Sequence, residues 1–201
     1  FTPDNNMLAY AQWAEGYRLG RASPSPSPLC DANSDGLLDD VGFAAPEGID
    51  SDTSESFELG IKTSLADNRI TLNAAVYRIN WEGMPVSITL PSCNAVVTLN
   101  AGESLSEGIE LEGQASLSDN LLLNISASYG EATLAEDAAN LGSKGDNLPG
   151  SADYNLSASL EYSFNLFDYE AFVRGDYSYV SEYYHNIAEL GEASGDYSLI
   201  N

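Results

Sequence analysis

Segments in which apolar and polar residues alternate one by one recur along the chain. The connections between them are by turns very short and very long. The pattern is clearest around residues 57–76. Phe57, Leu59 and Ile61 alternate there with Glu58, Gly60 and Lys62, and Ala66-Asp67-Asn68 then turns the chain. Ile70, Leu72, Ala74 and Val76 follow, alternating with Arg69, Thr71, Asn73 and Ala75. A period of two places alternate residues on opposite faces of a β-sheet. The spacing predicts eight strands, near residues 7–15, 54–65, 69–81, 96–117, 121–132, 154–163, 169–179 and from 197 onward. Short turns fall after the second, fourth and sixth of these, and long connections after the first, third, fifth and seventh. An antiparallel meander built this way gathers every short turn at one end and every long loop at the other. The segment 82–95, interrupted by Pro85 and Pro91, reads as one of the long loops.

That sorting of connections is the signature of a transmembrane β-barrel, in which short turns and long loops lie on opposite sides of the bilayer. A spanning helix needs about 20 consecutive apolar residues, and none of the runs approaches this, whereas a tilted spanning strand needs about 9–11 residues of alternating character. The faces agree. One side of the strands at 154–163 and 169–179 carries Ser, Asn, Glu, Arg and Asp, suited to a wet interior; the other carries Ala, Leu, Val and Tyr, suited to lipid. The fold class expected is therefore all-β, an antiparallel transmembrane barrel segment of about eight strands. A soluble sandwich also alternates its faces but has less reason to sort loop lengths by end. The net charge of −24 excludes a nucleic-acid partner, since seven Lys and Arg residues neutralise few phosphates.

The sharpest local motif is Asp31-Ala32-Asn33-Ser34-Asp35-Gly36-Leu37-Leu38-Asp39-Asp40. Oxygen ligands at alternate positions followed by glycine match the opening of a calcium loop. Asp31, Asn33, Asp35 and Asp39 are the candidate ligands for Ca2+, against the plainer reading of a solvated acidic loop. Gly42 stands where an EF-hand places its bidentate glutamate, so the motif is closer to the short aspartate-rich loops of extracellular repeats. Cys30 and Cys93 both fall in expected loops. A disulfide between them suits an oxidising envelope compartment, and the sequence leaves open whether they pair. Glu110 and Glu112 share one strand face, and His185 is the only histidine. These groups form neither a nucleophile–base set nor a zinc site, and the chain carries no phosphate-binding glycine loop. An enzyme is not expected, and no cofactor is required.

Several stretches carry a more specific resemblance. They are Tyr10-Ala11-Gln12-Trp13-Ala14-Glu15-Gly16-Tyr17-Arg18, Glu55-Ser56-Phe57-Glu58-Leu59-Gly60-Ile61-Lys62-Thr63 and Asn73-Ala74-Ala75-Val76-Tyr77-Arg78-Ile79-Asn80-Trp81. Asn100-Ala101-Gly102, Gly108-Ile109-Glu110-Leu111-Glu112, Asp146-Asn147-Leu148-Pro149-Gly150, Tyr177-Ser178-Tyr179 and Tyr197-Ser198-Leu199-Ile200-Asn201 continue the series. In order and spacing the chain resembles the C-terminal part of the barrel of a TonB-dependent outer-membrane receptor. The resemblance implies a 22-stranded barrel filled by an N-terminal plug domain. It also implies a scarce ligand such as a ferric siderophore, haem, cobalamin or glycan, and energy supplied by the TonB complex through the plug. Residues 1–201 would then be a partial barrel domain in the bacterial outer membrane, without the plug and the final strands, contributing wall and ligand-facing loops. Outer-membrane lipid, the plug, TonB and a small ligand are the partners this reading calls for. A small structural or adhesive barrel and a soluble calcium-stabilised β-domain are the competing readings.

Overall fold

A computed structural model describes residues 6–23, 25–100, 102–138, 142–187 and 193–201. Twelve strands are present among them: β1 (Met7–Arg18), β2 (Arg21–Ala22), β3 (Gly48–Ile49), β4 (Asp52–Leu65), β5 (Ile70–Glu82), β6 (Pro85–Leu90), β7 (Ala95–Asn100), β8 (Glu103–Ser118), β9 (Leu121–Leu134), β10 (Tyr154–Leu166), β11 (Tyr169–Val180) and β12 (Tyr197–Ile200). A single turn of 3-10 helix, Pro28–Cys30, sits in the first long loop.

Eight of the strands form one antiparallel sheet in the order β1-β4-β5-β8-β9-β10-β11-β12. Every neighbour in the sheet is also the next of these eight along the chain, as a meander requires. The alternation holds in register across the full width. Trp13 lies opposite Phe57, Leu59 opposite Val76, Val76 opposite Ile109, and Ile109 opposite Tyr129. Tyr129 in turn meets Tyr154, with ring centroids 4.9 Å apart, and Leu156 meets Tyr179. A slip of one residue would exchange the two faces, so side-chain pattern and pairing reinforce each other.

The turns at one end are tight. Asp119 and Asn120 join β8 to β9, Phe167 and Asp168 join β10 to β11, and residues 66–69 join β4 to β5. Ala66, Asp67 and Asn68 all have positive φ, from 52° to 65°, a conformation that Asn and Asp tolerate better than most residues. The described residues of the long connections, within 19–51, 83–102, 135–153 and 181–196, lie at the opposite end, as the sequence pattern predicts.

Two expectations need correction. The strand expected at 96–117 is two strands, β7 and β8, broken at Gly102, whose φ of 86° is open to glycine. The segment read as a loop because of Pro85 and Pro91 contains β6, which pairs with β7 as a separate hairpin above the sheet. Proline is tolerated there because Pro85 is the first residue of a two-stranded ribbon and Pro91 lies outside it. The first strand also runs to Arg18 and the second begins at Asp52, each nearer the long loops than the sequence suggests.

The burial pattern is unusual for a β-domain. The sheet leaves large apolar side chains open to the surroundings, among them Leu59, Val76, Leu160 and Val173. The buried apolar residues lie instead in or beside the long loops: Cys30, Leu38, Ile49, Met84, Val86, Leu90, Val97, Leu134, Ala138 and Ile187. A sheet with no core on either face must be covered by something else, and its apolar face is suited to hydrocarbon.

Candidate functional site

The polar face of the sheet is a continuous hydrogen-bonded surface. Near the short turns, Gln114 donates to Asn124 at 2.9 Å, and Asn124 donates to Ser159 at 3.2 Å. Arg174 bridges Asp176 at 2.7 Å and Glu161 at 4.0 Å. Gln114, Asn124, Ser159, Arg174 and Asp176 line an open recess of about 780 Å³. Farther along, Tyr10 donates to Glu58 at 2.6 Å, and the Lys62 ammonium lies 5.7 Å from the centre of the Tyr10 ring. Glu110 and Glu112 line a small recess here with Tyr10, Glu58, Lys62 and Asn73. Asn73 donates to Glu112 at 3.4 Å. The two glutamates are thus part of a polar wall.

Two tyrosines lie flat on this wall over glycines. Tyr10 stands opposite Gly60, and a Cβ at Gly60 would overlap its ring. Tyr77 stands opposite Gly108, which pairs with Gly130, and a Cβ on either glycine would collide with the Tyr77 hydroxyl.

At the long-loop end the same face holds Arg18, Asp52 and Trp81. Arg18 and Asp52 are directly paired across β1 and β4. Arg18 Nε lies 3.0 Å from both carboxylate oxygens, and Nη2 lies 2.8 Å from Oδ2. The Trp81 indole donates to Oδ2 at 2.6 Å, and the guanidinium carbon lies 5.2 Å from the centre of the Trp81 ring. Asp52 is buried, yet the guanidinium beside it holds its carboxyl below the usual range. Burial opposes that shift and the indole hydrogen bond assists it. A recess of about 590 Å³ opens beside the trio, bounded by Ile79, Ala132 and Leu148. Sequence reasoning missed the trio, because Arg18 and Asp52 are 34 positions apart and only the β1–β4 register brings them together.

Above this rim the loops are packed together. Cys30 and Cys93 form a disulfide, with Cα atoms 5.0 Å apart, which settles the question their sequence left open. Around it Leu38, Leu90 and Val97 form one buried cluster, with Val41, Phe43, Ala45 and Ala95 against it. Met84, Val86, Leu134, Ala138 and Ile187 form a second, flanked by Trp81, Leu99 and Leu148. Ile88 packs against both.

The aspartate-rich segment is a compact exposed turn. Asp31 accepts from the backbone amides of Asp35 at 3.0 Å and Gly36 at 2.9 Å, and Asn33 Oδ1 accepts from Asp35 at 3.0 Å. Asp35 accepts from Leu37 at 2.8 Å and from the Asn33 side chain at 3.1 Å, while Asp39 accepts from Ala32 at 2.9 Å. The four candidate ligands therefore belong to one turn, with oxygens directed at its amides. Among the described residues no three His, Cys, Asp or Glu side chains converge as a metal-holding group. His185 is exposed and meets the edge of the Tyr183 ring at 5.3 Å.

No helix among the described residues is long and apolar enough to cross a membrane. The chain matches no curated protein in sequence. Its fold is shared with solved receptor barrels. The ferric yersiniabactin uptake receptor FyuA from Yersinia pestis superposes with a TM-score of 0.74 at 17% identity, over 100% of this chain and 27% of that one. BauA, the ferric preacinetobactin receptor from Acinetobacter baumannii, gives 0.69 at 19% identity, over 98% and 27%. The siderophore receptor PiuA from Acinetobacter baumannii gives 0.67 at 21% identity, over 100% and 27%. The chain thus spans about a quarter of the length of these structures. The model of the family described as TonB dependent receptor-like, beta-barrel, matches residues 1–201. This is a family of transport receptors, not of enzymes. By a match that runs from its first residue to its last, the chain belongs to the TonB-dependent receptor family, as part of its β-barrel.

Proposed function

We propose that this chain is a section of the wall of an outer-membrane active-transport receptor, with its long loops facing the outside of the cell. The observation that carries the reading is the two-faced sheet with its connections sorted by end: apolar residues on one face, a hydrogen-bonded polar surface on the other, and all long loops on one rim. Lipid satisfies the first face. A plug domain inside the barrel satisfies the second, and TonB acting on that plug supplies the energy. The recess beside Arg18, Asp52 and Trp81, roofed by the packed loops, lies where a scarce ligand would enter. Receptors for ferric siderophores share the fold, so an iron chelate is the first ligand class to offer, with haem, cobalamin or a glycan as the others.

The test is uptake of radio-iron by cells carrying or lacking the gene, offered separately as hydroxamate, catecholate and phenolate chelates. The expected result is gene-dependent uptake of one class that disappears when TonB is removed. Gene-dependent uptake that persists without TonB, or a protein that fractionates away from the outer membrane, would sink the reading.

The turn at residues 31–40 carries a second part of the proposal, that Asp31, Asn33, Asp35 and Asp39 hold a Ca2+ ion and stiffen the first loop. The reading rests on the sequence spacing, which places these four oxygen-bearing residues at alternate positions of one short turn before and after Gly36. Calorimetric titration of the intact protein with Ca2+ should show one saturable site that Asp31→Asn with Asp35→Asn abolishes. Equal heats with and without the substitutions would remove calcium from the account.

A further inference from the structure

The apolar face of the sheet ends abruptly on its long-loop side. Across neighbouring strands it carries the row Leu59, Val76, Ile109 and Tyr129, and the next row towards the short turns is Ile61, Ala74, Leu111 and Ala127. Neither row contains a charged residue. In the opposite direction on the same face, Arg78 follows Val76, Glu107 follows Ile109 and Glu131 follows Tyr129. On β1 and β4 the change comes one step later, where Glu15 and Glu55 follow Trp13 and Phe57. Beyond this border carboxylates stand directly opposite each other in three places: Glu15 and Glu55, Glu82 and Glu103, Glu107 and Glu131. Like charges in opposed positions destabilise a sheet. Among the described residues of these five strands, Arg78 is the one basic residue on this face, and it bridges Glu107 at 3.6 Å. Aromatic donors hold two of the carboxylates: the Trp13 indole donates to Glu55 at 2.9 Å, and the Tyr129 hydroxyl donates to Glu131. Tryptophan and tyrosine with one apolar side and one polar tip suit the boundary between hydrocarbon and headgroups.

We propose that this border is a docking surface for phosphate-bearing lipid headgroups, joined to the opposed carboxylates by divalent cations. The inference rests on the membrane reading above and adds where the hydrocarbon ends and what meets the chain there. The apolar rows run directly into the charged ones, so lipid that covers the first brings its headgroups beside the second. One divalent ion balances one opposed pair. Two carboxylates do not enclose an ion by themselves, and Mg2+ is characteristically held by one or two carboxylates together with phosphate oxygens, which the headgroups supply. Trp81 directly precedes Glu82 on β5, so the recess beside Arg18, Asp52 and Trp81 lies level with the headgroups.

The intact protein in lipid vesicles tests both halves. Bimane labels on Val76→Cys and Leu111→Cys should be quenched by acyl-chain-brominated lipid and shielded from iodide, and labels on Asn80→Cys and Leu105→Cys should show the reverse. Quenching of the last two by brominated lipid would overturn the border alone. Iodide reaching all four would sink the membrane reading and this inference with it. In phosphatidylglycerol vesicles, Mg2+ should lower the unfolding constant in urea by at least about threefold more than in phosphatidylcholine vesicles. Glu15→Gln with Glu103→Gln and Glu131→Gln leaves one carboxylate in each pair and keeps the Arg78–Glu107 bridge. It relieves the repulsion, so folding is not at risk, and it should abolish the excess response to Mg2+. Equal responses in the two lipids, as an ion bound by the protein alone would give, would overturn the proposal. So would the full excess in the substituted protein.

Discussion

Asp52 illustrates how much one side chain can organise at a rim. It is buried, and both of its oxygens are engaged by Arg18, with Trp81 as a further donor. It sits at the long-loop end of a 14-residue strand, beyond the roughly 9–11 residues that a bilayer crossing uses from the short-turn end. Its carboxyl titrates below the ordinary value of about 3.9. A carboxyl depressed in the folded state contributes stability that is fully present above its unfolded pKa and is lost as pH falls through the folded value. The rim should therefore hold at pH 5 and above, and loosen only below about pH 4. Amide exchange of peptides covering 50–54, compared between pH 5 and pH 3 after correction for intrinsic rates, checks this. Asp52→Asn should abolish the difference, since its amide does not titrate.

At the scale of elements, the long strands and the short turns were legible in the sequence because period-two alternation and the Asp-Asn turns are local signals. Strands β4, β5, β9, β10 and β11 follow that reading to within a few residues. The β6–β7 hairpin was not, although Val86, Ile88 and Leu90 alternate with Ser87 and Thr89. Its flanking prolines read as loop signals, and a two-stranded ribbon outside the sheet makes little claim on a pattern search. The packed loop layer was equally hidden, because residues such as Cys30, Leu90 and Val97 meet only through tertiary contact. Leu90 is wholly buried at the hairpin's end. Truncation to alanine should cost about 2–5 kcal/mol locally, the usual range for a buried leucine. The loss should appear as faster exchange in 28–43 and 95–99, with the sheet unaffected.

Among the described residues the main sheet has β1 and β12 as its two edges. Unpaired strand edges invite further pairing, and a lipid-facing sheet can leave none open. The two faces make opposite demands on substitution. Leu160 lies among Leu123 and Gly175 on the apolar face, whereas Ser178 belongs to the polar one. Leu160→Arg should cost about 2–4 kcal/mol if it lies near the bilayer midplane. Ser178→Arg should cost much less. Urea titration of the intact protein in lipid vesicles measures both, and equal penalties would contradict the assignment of faces. The tyrosines that recline over Gly60, Gly108 and Gly130 have a bearing on the relief of the polar face as well as on packing. Because the wall supplies no side chain beneath them, Tyr10 and Tyr77 are stored within its thickness, and the polar face stands lower than its residue types suggest. A side chain added at Gly60 would push the Tyr10 ring upright off the sheet, so a change within the wall would be felt as a new projection on its polar surface.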